Sequence, residues 1–246
     1  MLLAIMSDIH ANLEALKACL EHARACGAGR FAFLGDLVGY GADPGAVIDI
    51  VAEHASRGAV VVQGNHDKAV DGPTEYLNHS ATTAIQWTRT RLTGEQATFI
   101  RELPLLAREE EACFVHASAA RPEEWDYIDS PRAAERSAYA AARPYTFCGH
   151  VHEQRLYIAA AQDRMVAFAP RPGTDVPLRP HRKCVAIVGS VGQPRDGHPS
   201  AAYAIADFEH RVLRFHRVPY DHLEAARKVR AAGLPEALAY RLERGI

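Results

Sequence analysis

Short apolar segments alternate with segments of helical periodicity along the first third of the chain. Leu2–Met6, 30–34 and 59–63 are brief apolar or β-branched runs, which predict strands. The first run is followed by an amphipathic helical segment, and the second by a helical segment that begins at Pro44. This alternation of strand and helix predicts a parallel sheet with right-handed crossovers.

The pattern changes in the remaining two thirds of the chain. A helical segment over about 71–106, with a capping box from Thr93 to Gln96, precedes further apolar runs. Runs without helices between them indicate antiparallel strands or a second sheet. The predicted strands are 112–115, 145–148, 156–160, 165–169, 184–188, 201–206 and 212–218, with helices at 131–142, 221–232 and 234–244 and a surface loop at 171–183.

Composition narrows the class of protein. A length of 246 residues allows one large α/β domain or two small ones, and a hydrophobic content of 48% is ordinary for a soluble globular protein. The apolar runs are shorter than the roughly 18 residues of a membrane span. The first six residues lack the basic region of a signal peptide, so we expect a cytoplasmic protein without membrane contact. A net charge of −2 without long charged runs argues against nonspecific nucleic-acid binding. The five scattered cysteines, with no C-x-x-C pair, argue against a disulfide framework.

Polar residues with metal-binding atoms follow five of the predicted strands. Open α/β sheets bind ligands at the carboxyl ends of their strands, where these side chains would meet. Residues two apart on extended backbone point the same way, which would bring both members of D-x-H and H-x-H to one centre. The set comprises Asp8 and His10, Asp36, Asn65 and His66 with Asp67, His116, and His150 with His152.

The chemistry of this set predicts a site for divalent metal ions. Imidazole, carboxylate and amide groups suit Mn, Fe, Co, Ni or Zn, and the absence of cysteine argues against a closed structural zinc site. Asp8 and Asp36 would leave two divalent ions with a net positive charge for phosphate and hydroxide. Taken alone, Asn65 to Asp67 would fit an Asx-type turn equally well, so the prediction depends on the whole set.

In sequence order the motifs D-x-H, G-D, G-N-H-D, H and G-H-x-H, from Asp8 to His152, resemble the calcineurin-like metallophosphoesterase superfamily. The segment from Gly189 to Gly197 resembles the G-S-x-x-x-P-R loop of its small bacterial phosphodiesterase branch, although Ile187-Val188 stand where that branch usually has asparagine. The resemblance implies a single domain over 1–246, built as a four-layer α/β/β/α sandwich of two mixed sheets flanked by helices. The helical insertion at about 71–106 would cover the site.

The resemblance also implies roles for individual residues. Two divalent ions, with Mn favoured among Mn, Fe, Zn, Ni and Co, would share Asp36. His66 would protonate the leaving oxygen, and Asp67 could orient it, which makes both catalytic candidates. The first ion would be held by Asp8, His10, Asp36 and His152, and the second by Asp36, Asn65, His116 and His150.

Three more residues are candidates for substrate binding. Arg195 could bind phosphate, although a solvated arginine in a Gly/Pro turn is the alternative. Tyr40 follows Asp36 closely and His198 follows the Arg195 loop, so either could line the pocket mouth. Most other histidines, including His22 and His216, are expected to be solvated.

The function that follows from the resemblance is hydrolysis of a small phosphodiester by a metal-bridging hydroxide. A dinucleoside polyphosphate or cyclic nucleotide hydrolase is the first alternative, so a nucleotide is one candidate for the phosphorylated substrate. A phosphomonoesterase is another alternative. A non-catalytic, protein-binding scaffold with a metal site is the alternative from a different class.

Overall fold

The computed structural model describes residues 1–160 and 164–246. Its first sheet has six strands in two halves. β1 (Leu2–Met6), β2 (Ala28–Phe33) and β3 (Val60–Val61) run parallel, with β1 in the middle of the sheet. The antiparallel half adds, outward from β1, β11 (Ala201–Asp207), β12 (Val212–Val218) and β9 (Asp175–Pro177).

The second sheet also has six strands and is also mixed. Its parallel centre consists of β5 (Ala112–Val115), β6 (Tyr145–Cys148) and β10 (Cys184–Val188). Antiparallel strands flank this centre: β4 (Leu106–Glu109) beside β5, and β7 (Gln154–Ala159) followed by β8 (Met165–Phe168) beside β10.

Helices cover the outer faces of both sheets. α1 (Leu13–Ala25) and α2 (Pro44–Ser56) pack on the first sheet and α6 (Pro131–Ala141) packs on the second, which gives the four-layer sandwich that the resemblance implied. None of the described helices has the length and apolarity needed to cross a membrane. The helices are α1 (Leu13–Ala25), α2 (Pro44–Ser56), α3 (Asn65–Ala69), α4 (His79–Arg89), α5 (Gly94–Glu102), α6 (Pro131–Ala141), α7 (His222–Ala231) and α8 (Glu236–Arg244).

Alternation along the strands divides the apolar residues between two layers of core. Leu3 and Ile5 of β1 point into the space between the sheets, whereas Met6 packs with the helices outside. From the second sheet, Phe114 and Phe147 stack on each other with ring centroids 5.7 Å apart. Packing of these residues between the sheets therefore fixes the relative position of the two edges at which the carboxyl ends of the parallel strands lie.

Three sequence predictions about strands were wrong. β3 spans only two residues, because the chain turns soon afterwards into α3. β4 was missed, since its polar residues suit an edge strand that is only partly buried. β9 lies inside the predicted surface loop and contains Pro177, which an edge strand tolerates.

Candidate metal centre

The loops after β1, β2, β5 and β6 meet at one edge of the sandwich, together with the start of α3. They bring together the seven residues predicted to bind metal, each at most 7% exposed. Burying so many polar side chains is costly unless they share hydrogen bonds or a cation. These residues are Asp8, His10, Asp36, Asn65, His116, His150 and His152.

The side chains form two groups. Ligand atoms of Asp8, His10, Asp36 and His152 all lie within 4.8 Å of one another. The same limit holds for Asp36, His116 and His150, so Asp36 belongs to both groups. Asn65 adds an oxygen to the second group, because its Oδ1 lies 3.2 Å from His116 Nε2.

The backbone that presents these residues is not extended, so the explanation of D-x-H and H-x-H by strand alternation was wrong. Five of the candidate ligands have left-handed backbone, which costs about 1–2 kcal/mol for each non-glycine residue. Backbone hydrogen bonds between loops hold this conformation, including His10 N–H to Asp36 O at 2.9 Å. The φ angles are 53° for Asp8, 48° for His10, 50° for Asp36, 65° for His150 and 66° for His152.

Backbone carbonyls orient three of the four imidazoles. A carbonyl oxygen only accepts hydrogen bonds, so each Nδ1 facing one carries a proton, which leaves Nε2 as the nitrogen that can bind a metal ion. His150 is the exception, since its Nδ1 faces His116 Nε2 at 3.1 Å. The carbonyl contacts are His10 Nδ1 to Val38 O at 3.2 Å, His116 Nδ1 to Leu34 O at 2.7 Å and His152 Nδ1 to Gln193 O at 2.6 Å.

This arrangement fits a bound cation. The lone pairs of His10 Nε2 and His152 Nε2 face each other at 3.1 Å, which is repulsive unless a positive charge lies beside them. Asp8 Oδ1 is buried and has no hydrogen-bond partner among the described residues. Oxygen and imidazole nitrogen donors together suit a divalent transition metal.

Burial and neighbouring charges set the protonation of the cluster. Burial lowers the pKa of His10 well below its usual value and lowers the pKa of His150 to about 3. Burial also opposes the charged form of His116, but the Asp36 carboxylate outweighs it and raises the pKa of His116 to about 9. His10 and His150 are therefore neutral, as ligands must be, and a bound metal would displace the proton of His116.

His66 lies beside both groups but belongs to neither. Its backbone N–H donates to Asp36 Oδ1 at 2.8 Å, and its ring lies 4.5 Å from the Tyr40 ring. Its buried Nδ1 has no hydrogen-bond partner in the described part of the chain. Gly39, at φ +86°, leaves room for this ring, because a Cβ there would overlap Nδ1.

Asp67 does not make the expected contact with His66. Its Oδ1 accepts the N–H groups of Leu37 at 2.9 Å and Val38 at 3.2 Å, and its Oδ2 accepts Gly64 N–H at 3.0 Å. Among the described residues, no hydrogen bond joins its carboxylate to His66. Asp67 instead fixes the loop after β2 against the start of α3, which corrects the prediction that it orients the imidazole directly.

An open pocket of about 310 Å³ lies over the cluster. Tyr76 O–H donates to Asn65 O at 3.1 Å, and the Tyr127 ring stacks on the His150 ring with centroids 4.1 Å apart. Tyr76 and Tyr127 are each more than half exposed, so their ring faces are accessible. The pocket wall includes the aromatic residues Tyr40, Tyr76, Trp125 and Tyr127 and the guanidinium groups of Arg195 and Arg241.

The three predicted substrate-binding residues differ in their positions. Tyr40 and Arg195 both line the pocket, with the Arg195 guanidinium carbon 6.0 Å from the Tyr40 ring centroid. His198 is exposed and lies outside the pocket lining, so the prediction that it lines the pocket was wrong. The chain turns away at Gly197, whose N–H donates to Gly245 O at 2.8 Å.

Among the pocket residues that sequence reasoning missed are three aromatic side chains and one arginine. Trp125 and Tyr127 lie in a proline-bounded segment after a strand that ends in a candidate ligand, and aromatic residues in such a loop are a usable signal. Tyr76 lies inside the predicted helical insertion, where no motif marks it. Arg241 belongs to an amphipathic helix far along the chain, where an arginine is expected on the solvated face.

The chain is similar to known proteins over nearly its whole length. The sequence model of the calcineurin-like phosphoesterase superfamily domain matches residues 1–211. An uncharacterized protein of Methanocaldococcus jannaschii is 32% identical over 247 residues, which cover 98% of this chain and 97% of that protein. The crystal structure of a metallophosphoesterase from Sphaerobacter thermophilus is 34% identical, with a TM-score of 0.89 and 100% of both chains covered. A hypothetical protein from Pyrococcus horikoshii OT3 shares the fold at 18% identity, with a TM-score of 0.80 and coverage of 100% of this chain and 98% of that one.

Proposed function

Because the chain belongs to the calcineurin-like phosphoesterase superfamily of metal-dependent phosphoester hydrolases, we propose that it hydrolyses a small phosphodiester in the pocket over the metal centre. The observation that carries this proposal is the pair of buried donor groups that share Asp36 and face an open pocket. A site that only stabilised the fold would not need an accessible pocket on one side.

The donor groups define which residues would hold two ions. Divalent ions bound there, with Mn²⁺ favoured, would supply Lewis acidity and lower the pKa of water. Asp36 would hold both ions and also accepts the backbone N–H of His66, so it would couple metal binding to the position of the imidazole. Asp8, His10 and His152 would complete the first set, and Asn65, His116 and His150 the second.

His66 is assigned the proton transfer to the leaving oxygen. It lines the pocket and lies outside both donor groups, so its ring is free to meet a substrate. Burial lowers the pKa of His66, although the Asp36 carboxylate opposes the shift. A lowered pKa makes the imidazolium a stronger acid but leaves less of the ring protonated, so the negative charge of the bound phosphodiester would be needed to favour the protonated form.

The pocket wall supports a diester with bulky substituents. Arg195 can bind a phosphoryl oxygen through its guanidinium, which is partly buried in the pocket beside the donor groups. Within the described residues, this guanidinium donates to the Gln193 amide oxygen and to no carboxylate. Tyr76, Trp125 and Tyr127 offer ring faces for ester groups that are apolar or flat. A monoester would leave part of this aromatic surface unused.

One observation favours a second candidate, a dinucleoside polyphosphate hydrolase. Arg241 brings a second guanidinium to the pocket from α8, and it forms no ion pair with the described residues. Two guanidinium groups beyond the ions would suit a substrate that carries another phosphate. Aromatic faces would then stack on nucleobases.

The proposal is tested with metal-depleted protein reconstituted with Mn²⁺. We expect kcat/KM for bis(p-nitrophenyl) phosphate to exceed that for p-nitrophenyl phosphate by about tenfold or more, because the aromatic wall binds the second ester group. A chelator should abolish turnover. Faster hydrolysis of diadenosine polyphosphates would select the second candidate, faster monoester hydrolysis would select a phosphomonoesterase, and no turnover of any of them would favour the non-catalytic scaffold.

Arg241→Gln tests the second guanidinium. We expect KM for a diadenosine polyphosphate to rise about tenfold, since a charge-assisted hydrogen bond contributes about 1.5–3 kcal/mol, and KM for the aryl diester to change less than about twofold. Arg244→Gln, an exposed position on the same helix, is the matched control. Equal losses with both substrates would contradict a role for Arg241 in binding a distal phosphate.

A further inference from the structure

A second group of metal-binding side chains lies between α1 and the first sheet. Ligand atoms of His22, Cys26 and His216 all lie within 4.8 Å of one another. None of these residues belongs to the candidate metal centre or lines its pocket. The group is therefore separate from the site proposed for phosphodiester hydrolysis, and its argument does not depend on that function.

The fold brings the three residues together from distant parts of the chain. His22 and Cys26 are four residues apart at the end of α1, so they lie on the same side of the helix. His216 is on β12, directly opposite Tyr203 of β11. Because α1 packs across β11 and β12, the end of the helix lies over this pair of strands.

The contacts within the group are close and polar. Cys26 Sγ lies 3.7 Å from His22 Nδ1, and the Tyr203 hydroxyl lies 2.7 Å from the same nitrogen. The His216 ring stacks on the Tyr203 ring at 5.2 Å and lies 5.1 Å from the His22 ring. Ligands about 3.5 Å apart are what a tetrahedral ion with bonds of about 2.0–2.3 Å requires, so the sulfur–nitrogen spacing suits a bound ion.

His216 supplies the observation that points to a ligand. Its Nε2 is buried and has no hydrogen-bond partner in the described part of the chain. A buried nitrogen without a partner is destabilising, and a metal ion is one way to satisfy it.

We propose that His22, Cys26 and His216 form a second metal site, for a thiol-binding divalent ion such as Zn²⁺. Thiolate with imidazole is a zinc donor set, whereas the candidate phosphoesterase centre has only nitrogen and oxygen donors. A water molecule would complete the coordination, and the Tyr203 hydroxyl, 2.7 Å from His22 Nδ1, would lie beside the ion as a hydrogen-bonding neighbour. An ion here would tie the end of α1 to β12, so the site has a structural role.

Cadmium distinguishes this site from the candidate phosphoesterase centre, because only a cysteine ligand gives the ultraviolet charge-transfer band of a cadmium thiolate. The experiment titrates Cd²⁺ into the 246-residue chain after saturation with Mn²⁺. We expect the band to saturate at about one equivalent and to be absent in Cys26→Ser. In His22→Gln and in His216→Gln, the affinity for Cd²⁺ should fall about tenfold or more.

Matched variants separate the two sites. Asp36→Asn should keep the cadmium charge-transfer band even where it lowers hydrolysis. Cys26→Ser should keep the phosphodiester turnover of the parent protein even though it loses the cadmium band. Circular dichroism checks the fold of each variant. His22→Gln, at a half-buried position, carries the test if His216→Gln does not fold. The proposal is overturned if no band forms, or if both histidine variants bind Cd²⁺ as tightly as the parent protein, since the exposed thiol would then bind it alone.

Discussion

Asp36→Asn is expected to lower kcat/KM for the aryl diester by about a thousandfold, which corresponds to losing about 4 kcal/mol of transition-state stabilisation. Asp36 is common to both donor groups, so removing its charge weakens both proposed ion sites at once. The substitution keeps the shape of the side chain. Asparagine also tolerates the left-handed backbone at this position, φ +50°, so the loop itself should be unchanged.

Two measurements accompany this prediction. Metal analysis should find fewer than two ions bound per chain. The loss in kcat/KM should persist at every Mn²⁺ concentration at which the protein stays soluble. Asp129→Asn, at an exposed position, is the control for removing one negative charge. Retention of both ions and of full turnover in Asp36→Asn would exclude the shared role of this residue.

His66→Gln should lower kcat by about a hundredfold to ten-thousandfold, the usual contribution of a general acid. Since His66 lies outside both donor groups, the variant should bind the same number of metal ions as the parent protein. The loss should be larger for a diester with an alkyl leaving group than for the p-nitrophenyl diester, because p-nitrophenolate leaves without a proton. An equal loss for both leaving groups would mean that His66 does not protonate the leaving oxygen.

Gly39→Ala tests the position of the same imidazole without changing it chemically. A Cβ at this position would overlap His66 Nδ1, so the ring must move and kcat should fall by about a hundredfold. Gly58→Ala is a matched control, because Gly58 also has a positive φ, +89°, but no atom within 4 Å of the added Cβ. Both variants carry a similar backbone strain. Similar activities in the two variants would show that the fit of His66 against Gly39 does not matter.

The sequence predicted the features that depend on local patterns. Apolar runs identified ten of the strands, and the capping box at Thr93 and Gln96 is formed as predicted. The strand-end residues from Asp8 to His152 were recognised because their types and order are specific, and the structure brings them together at one edge. The four-layer sandwich was confirmed, although it followed from the resemblance rather than from hydrophobic periodicity.

The features that sequence reasoning missed depend on tertiary contacts. Left-handed backbone at Asp8 and His10 arises from hydrogen bonds with the loop after β2, which no local pattern reveals. Arg241 is directed to the pocket by the packing of the two C-terminal helices, in a part of the chain that follows the family-matched segment. His216 was expected to be solvated because its neighbours in sequence are polar, but α1 packs over it.

The candidate ligands come from both sheets of the sandwich. Asp8 and Asp36 follow strands of the first sheet, whereas His116 and His150 follow strands of the second. Ions held among them would link the two sheets, which could then not slide past each other without releasing metal. An ion that binds only the folded chain, at a hundredfold excess over its Kd, adds about 2.7 kcal/mol to the free energy of unfolding. The concentration of free metal would then set the protein's resistance to unfolding as well as its turnover rate.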